Sequence, residues 1–156
     1  MRVRGWDYFE HLKEDCDDIL EIVGSVSVAE FKSRRNVHKA AVCSLLSIGE
    51  LLKSFSAEER DAMPEIPWKR LIGFRDRAAH GYQHLNLDIV WELIALCVPE
   101  LAKFLSKPLN CRMCGQLPLV SRKNERYVIP CACGNAVIGG ELERQADVII
   151  RWNTHC

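Results

Sequence analysis

Between Arg75 and Tyr82 the chain reads Arg-Asp-Arg-Ala-Ala-His-Gly-Tyr, which gathers two guanidinium groups, a carboxylate, an imidazole and a phenol into one short stretch. A guanidinium can stabilise charge building on phosphoryl oxygens, and an imidazole, with an ordinary pKa of ~6.5, can give or take a proton near neutrality. These are the groups needed to handle a phosphodiester. His80 lies one helical turn from Asp76 and Arg77, so a carboxylate is within reach of a ring nitrogen and could fix its tautomer. Lys69 and Arg70 add positive charge just upstream, and with Arg75 and Arg77 they form a basic patch beside His80.

The elements that must position these groups can be read from their flanks. Pro64 and Pro67 hold the backbone extended, because the ring fixes φ and disfavours the α region in each preceding residue. Trp68 then begins a helix whose apolar side carries Leu71, Ile72 and Phe74, and Gly81 is placed to end it in a left-handed cap. Five positions at ~100° each separate Arg75 from His80 by roughly 140°, so one straight helix cannot aim both at a single phosphate. Either the helix loosens at Gly81, or two copies meet across a dimer axis and each supplies part of one cleft.

Four longer helices are expected, joined by short loops into a bundle. The first covers residues 7–23, with Phe9, Leu12, Cys16, Ile19, Leu20 and Val23 on one face and an acidic face opposite. Ser27-Val-Ala-Glu30 and Ser56-Ala-Glu-Glu59 are capping boxes that open two short helices. Val37, Ala41, Leu45, Ile48, Leu52 and Phe55 mark a long central helix. After Tyr82, Asn86 or Asp88 can cap a last helix with Ile89, Leu93, Leu96, Cys97, Leu101 and Phe104 facing inward, disturbed near Cys97 by Pro99.

The eight cysteines are unevenly placed. Cys16, Cys43 and Cys97 fall singly in helical patterns as small core residues. Cys111-Arg-Met-Cys114-Gly115 and Cys131-Ala-Cys133-Gly134 come as two close pairs, the pattern of a metal site in a chain without a secretion signal. Four thiolates in two knuckles suit a tetrahedral zinc at Zn–S ~2.3 Å, with strands at residues 117–121 and 126–129 between them. The second pair has one intervening residue instead of two. Either Cys131 ligates with altered geometry, or His155 or Cys156 replaces it. Residues 141–153 read as a helix laid on this ribbon, with Trp152 on the ribbon's core.

With 156 residues, 48% of them apolar, the chain can bury one core plus a small appendage. No apolar run spans a bilayer, which makes a soluble cytoplasmic protein the expectation. Residues 1–107 hold 15 basic and 17 acidic side chains, a net of −2, and residues 108–156 hold 6 and 4, a net of +2. Neither part is basic enough for charge alone to argue for nucleic acid, and only local patches such as the one around Arg75 could bind it.

The segment Pro-Glu-Ile-Pro-Trp68 followed by Arg75, four residues, His80, one residue and Tyr82 resembles the HEPN superfamily, specifically the HepT-type toxins. Trp6-Asp-Tyr-Phe-Glu-His-Leu, Ser47-Ile-Gly-Glu-Leu-Leu and Leu87-Asp-Ile-Val-Trp-Glu extend the resemblance over roughly the first two thirds of the chain. It implies a mainly α fold, a HEPN-type antiparallel helical bundle over residues 1–107, and a homodimer. It also implies a metal-independent endoribonuclease that needs no cofactor for catalysis. His80 would act as general base or acid, Arg75 would stabilise phosphoryl charge and Asp76 would orient the ring. Arg77, Lys69 and Arg70 would contact the RNA, and the products would be a 2′,3′-cyclic phosphate and a 5′-hydroxyl. In such systems a minimal nucleotidyltransferase antitoxin attaches AMP to the matching tyrosine, here Tyr82. Residues 108–156 resemble Lar-type restriction-alleviation zinc ribbons, a small β ribbon with a terminal helix in which Cys111, Cys114, Cys131 and Cys133 would hold Zn²⁺.

Two readings from other classes stand beside the nuclease. A HEPN bundle can serve as a non-catalytic dimeric partner of a nucleotidyltransferase, with Arg75 and His80 only tying the dimer together. Alternatively the ribbon could govern function by binding a restriction enzyme or DNA.

Overall fold

The computed structural model describes residues 6–61, 63–81, 84–108, 111, 113–116, 118, 120–131, 133–140, 145, 148–149 and 152–153. Helices α1 (Trp6–Gly24), α2 (Val28–Ser33), α3 (Arg35–Lys53), α4 (Ala57–Asp61), α5 (Trp68–Gly81), α6 (Leu87–Glu92) and α7 (Val98–Leu105) precede strands β1 (Ser121–Lys123), β2 (Arg126–Pro130) and β3 (Ala136–Ile138). The chain is thus mainly helical with a small antiparallel sheet in its C-terminal region, as the sequence implies. It divides into two compact units, Leu12–Phe104 and a second that joins the residues up to His11 with Leu105–Cys156.

In the first unit the core is assembled from one stripe per helix. Leu12, Cys16 and Ile19 come from α1, Leu45, Ile48 and Leu52 from α3, and Leu71, Phe74 and Ala78 from α5, all buried. Each large aliphatic side chain withdrawn from water contributes about 1.5–3 kcal/mol, so this seam and not helix propensity holds the bundle together. Cys43 departs from the expectation: it lies exposed on the outer side of α3. Both capping boxes form. The Ser27 and Ser56 backbone N–H groups donate to Glu30 Oε2 (2.8 Å) and Glu59 Oε2 (2.7 Å), and their hydroxyls accept from the Glu30 and Glu59 amides.

The last helical stretch is where sequence and structure part. Asn86 caps it, its side chain accepting from the Asp88 amide at 2.8 Å. Pro99 has no N–H, and its ring would strike the Ala95 carbonyl in a regular α-helix. The chain answers with a π-helical turn over Leu93–Cys97, in which the Val98 amide reaches back to the Leu93 carbonyl. The buried line runs through Val90, Leu93, Ile94, Cys97, Val98 and Leu101. Ile89 and Leu96, expected inside, sit one position before Val90 and Cys97. They therefore lie about 100° away around the helix and are 46% and 51% exposed.

In the second unit β1, β2 and β3 pair in order, all antiparallel, with Ser121 opposite Val128 and Ile129 opposite Val137. The first strand begins where the expected one ended, at Ser121. A two-residue turn at Asn124 and Glu125, both with positive φ (47° and 64°), sets this register, the geometry that matches the twist of a tight hairpin. The third strand was not anticipated. On one face Ile129 and Val137 join Cys111, Val148, Ile149 and Trp152 in a buried cluster. Val148, Ile149, Trp152 and Asn153 are helical, as expected for the tail, and Trp152 is fully buried against the ribbon. The Asn153 side-chain amide donates to the Lys107 carbonyl at 2.8 Å.

Candidate active site

Helix α5 carries the chemistry, and its start is built from the proline segment. The Pro67 carbonyl accepts from the Arg70 and Leu71 amides, both at 3.2 Å, so the first turn closes without a side-chain cap. The Trp68 indole donates to the Met63 carbonyl at 2.9 Å and its ring lies 5.4 Å from that of Phe55. The tryptophan thereby fixes where α5 begins relative to the end of α3.

Burying Leu71, Phe74 and Ala78 sets the rotation of α5, and Arg75, next to Phe74, is left half-buried beside α3. Gly49 makes this possible. A Cβ there would overlap Arg75 Cβ and lie 3.0 Å from the Leu71 carbonyl oxygen, so the two helices meet where α3 has no side chain. The Arg75 Nε is ion-paired with Glu50, while its Nη1 donates to Asp76 Oδ1 at 3.1 Å. The same Asp76 oxygen accepts from Lys53 Nζ at 2.7 Å.

Four alternating charges thus tie the end of α3 to α5. The Asp76 carboxyl titrates below its ordinary range, chiefly because Lys53 donates to it and then because Arg75 does. The Arg75 guanidinium, hydrogen-bonded by Asp76 and ion-paired with Glu50, is raised. Nε and Nη1 thus anchor the guanidinium, whose remaining N–H groups can serve a planar anion.

His80 is exposed on the last turn of α5, which remains helical through Gly81. Loosening at Gly81, one of the two routes left open, is not seen, and Gly81 does not adopt a left-handed φ. Within one chain, therefore, His80 stands ~7.5 Å along and roughly 140° around the axis from Arg75. Lys69 and Arg77 are exposed, and Arg70 is ion-paired with Glu92 of α6. Tyr82 lies outside the described residues. Glu50 and Lys53 were given no role by the sequence reading. The signal that could have found them is Gly49 itself, because a glycine inside a strongly amphipathic helix costs ~1 kcal/mol and marks a close approach.

The second cluster of reactive groups is in the ribbon. The sulfurs of Cys111, Cys114, Cys131 and Cys133 all lie within 4.8 Å of one another. Tetrahedral coordination at ~2.3 Å spaces sulfurs by about 3.8 Å, so the four fit one metal ion, Cys131 included. Each knuckle turns through a glycine of positive φ, Gly115 (70°) and Gly134 (94°), and closes with a backbone bond, Cys111 N–H to the Gln116 carbonyl (2.9 Å) and Cys131 N–H to that of Asn135 (2.7 Å). Burial pushes the Cys111 thiol up, but the Met113 and Cys114 amides and the neighbouring thiols outweigh it and bring it down to about 6. His155 and Cys156, the alternative ligands, lie outside the described residues.

A family model described as "Ribonuclease HepT-like" matches residues 12–108, and the chain belongs to this family. Among relatives, "Putative RNase TTE0752" of Caldanaerobacter subterraneus subsp. tengcongensis is 36% identical over 96 residues, 62% of this chain and 86% of that protein. "Putative RNase MJ1216" of Methanocaldococcus jannaschii is 33% identical over 94 residues, 60% of this chain and 78% of that one. "Probable ribonuclease HepT" of Thermococcus cleftensis is 26% identical over 95 residues, 61% and 86% of the two chains. No solved structure matches significantly. Among the described residues, no helix is long and apolar enough to cross a membrane.

Proposed function

We propose that the chain is a metal-independent endoribonuclease, the toxin of a HepT/nucleotidyltransferase toxin–antitoxin pair. The observation that carries this is the arginine clamp: Arg75 is held by Glu50 and Asp76, five residues before an exposed imidazole on the same helix. Family membership supplies RNA as the substrate class.

In this reading His80 takes the proton of a ribose 2′-hydroxyl. The 2′-oxygen attacks phosphorus, the bond to the 5′-oxygen breaks, and that oxygen is protonated as it leaves. Arg75 stabilises the charge on the non-bridging oxygens, an electrostatic contribution of the oxyanion-hole kind. The products are a 2′,3′-cyclic phosphate and a 5′-hydroxyl. Because the two groups diverge along an unbroken α5, a second copy of the chain completes the cleft, Arg75 of one subunit serving beside His80 of the other. Arg77, Lys69 and Arg70 guide the RNA backbone. Residues 1–107 form the nuclease, and residues 108–156 a Lar-like ribbon whose four cysteines bind structural Zn²⁺. Tyr82, two positions beyond His80, is the residue a partner nucleotidyltransferase modifies with AMP, which blocks the cleft by bulk and negative charge.

Expression of the parent and of His80→Ala, followed by mapping of RNA ends with no divalent cation added, tests the reading. Cyclic-phosphate ends present in the first and absent in the second are expected. RNA left intact by the parent overturns it. Co-expression with a candidate nucleotidyltransferase is expected to add the mass of AMP to Tyr82.

A further inference from the structure

The bundle that carries the proposed nuclease is net acidic, so on charge alone it repels its own substrate. Among the ribbon's described residues the charged side chains are gathered at one place. Residues 121–126 hold Arg122, Lys123 and Arg126 against Glu125, a net of +2, and this equals the net charge of the whole segment 108–156. These residues are the tip of the β1–β2 hairpin, and all four charged side chains are exposed.

The pairing sharpens the point. Lys123 stands directly opposite Arg126 across the two strands, on the face away from buried Ile129. The two cations thus stand side by side at the exposed tip of the hairpin. The turn carries a local cost, because Glu125, neither glycine nor asparagine, is held at φ 64°. On the opposite face, Arg122 pairs with Tyr127 and lays its guanidinium 5.6 Å from the centre of the phenol ring. The exposed guanidinium is thereby held near the half-buried tyrosine ring by a cation–π contact. Cations grouped beside an aromatic ring are the combination by which proteins hold single-stranded nucleic acid, the cations meeting the backbone and the ring and guanidinium meeting the bases.

Resting on the ribonuclease reading, we propose that the β1–β2 hairpin is a docking surface for single-stranded RNA, with Lys123 and Arg126 neutralising backbone phosphates and the Arg122–Tyr127 stack receiving a base. β1 is an edge strand of the sheet, so a nucleic acid strand lying along it meets cations on both faces. The occupant is single-stranded because a planar guanidinium can stack only on an unpaired base, whereas a duplex offers its phosphates alone. On the Lys123–Arg126 face, half-buried Val128 beside Ile138, 59% exposed, offers apolar surface for a second base.

The experiment uses the full, metal-loaded chain carrying His80→Ala, so that RNA survives the measurement. Binding of a fluorescein-labelled single-stranded RNA and of a double-stranded DNA of the same sequence is followed by anisotropy across a salt series. Replacing Lys123 and Arg126 with Gln is expected to weaken RNA binding on the order of 10-fold and to lower the log–log salt slope by about 1.4, since each phosphate contact to a single strand contributes ~0.7. Arg122→Lys keeps the charge and removes the planar face. It is expected to weaken single-strand binding roughly several-fold at unchanged slope. Metal content equal to the parent's verifies that each ribbon is folded. RNA affinity and slope unchanged in the double variant overturn the proposal, as does a loss confined to duplex DNA. A parent chain that cleaves no RNA sinks the nuclease reading instead, and the binding series still decides the hairpin's role.

Discussion

Gly49 of α3 and Arg75 of α5 are packed so closely that a methyl group on the first would overlap the Cβ of the second. The clamp that orients the guanidinium therefore begins with the absence of a side chain on the neighbouring helix. Gly49→Ala is expected to destabilise the bundle by about 1–3 kcal/mol, the usual cost of overpacking a tight contact, despite alanine's better helix propensity. A urea melt measures this, and a variant as stable as the parent would show that α3 and α5 can separate freely.

Glu50 holds Arg75 through Nε and touches no substrate in the proposed chemistry, which makes it a positioning residue. Glu50→Gln keeps the shape and loses the charge. RNA cleavage is expected to fall on the order of 10- to 100-fold, because a misplaced catalytic group is costly even when present. The effect should appear in kcat more than in KM, with the melting temperature little changed. Arg75→Lys, which cannot offer a planar edge, should lose more, roughly 100- to 1000-fold.

The helical frame was legible in the sequence because its signals are local. Both capping boxes, the Asn86 cap and the Trp68 start are short-range hydrogen-bond patterns that a reader can count off. The inward face of α6 and α7 was misread, because two apolar lines run side by side there and only the π turn around Pro99 decides between them. The hairpin register was hidden for a similar reason. Asn-Glu does not look like a tight turn until both residues are seen at positive φ. The α3 partners of Arg75 and Asp76 could not be read at all, since Glu50 and Lys53 are more than twenty residues away and become neighbours only when α3 packs on α5.

Asp76 supplies a pH test. Lys53 and Arg75 hold its folded-state titration below the ordinary carboxylate value, ~3.9. Its stabilising effect is therefore fully present above about pH 4 and is lost as pH falls through the depressed folded value. Melting temperatures of the parent and Asp76→Asn are expected to differ at pH 6 and to converge toward pH 3. A gap that persists in acid would mean that the pair interactions are not what the carboxylate contributes.

Metal removal should separate the two units. One zinc per chain is expected by elemental analysis, and Cys111→Ser or Cys133→Ser should abolish tight binding. Stripping the ion should unfold the ribbon and bring Trp152, now fully buried, into water, which a red shift in tryptophan emission reports. Deleting His155 and Cys156 should leave metal content unchanged, and a loss on that deletion would reassign the fourth ligand.

The bond from Asn153 to the Lys107 carbonyl stitches the two ends of the ribbon segment together. A module whose entry and exit are adjacent can be grafted as a cassette into a surface loop of another protein, or have its strand order circularly permuted, without stretching its host. The residues up to His11 belong to the same unit, so they would have to travel with the ribbon in any such transfer.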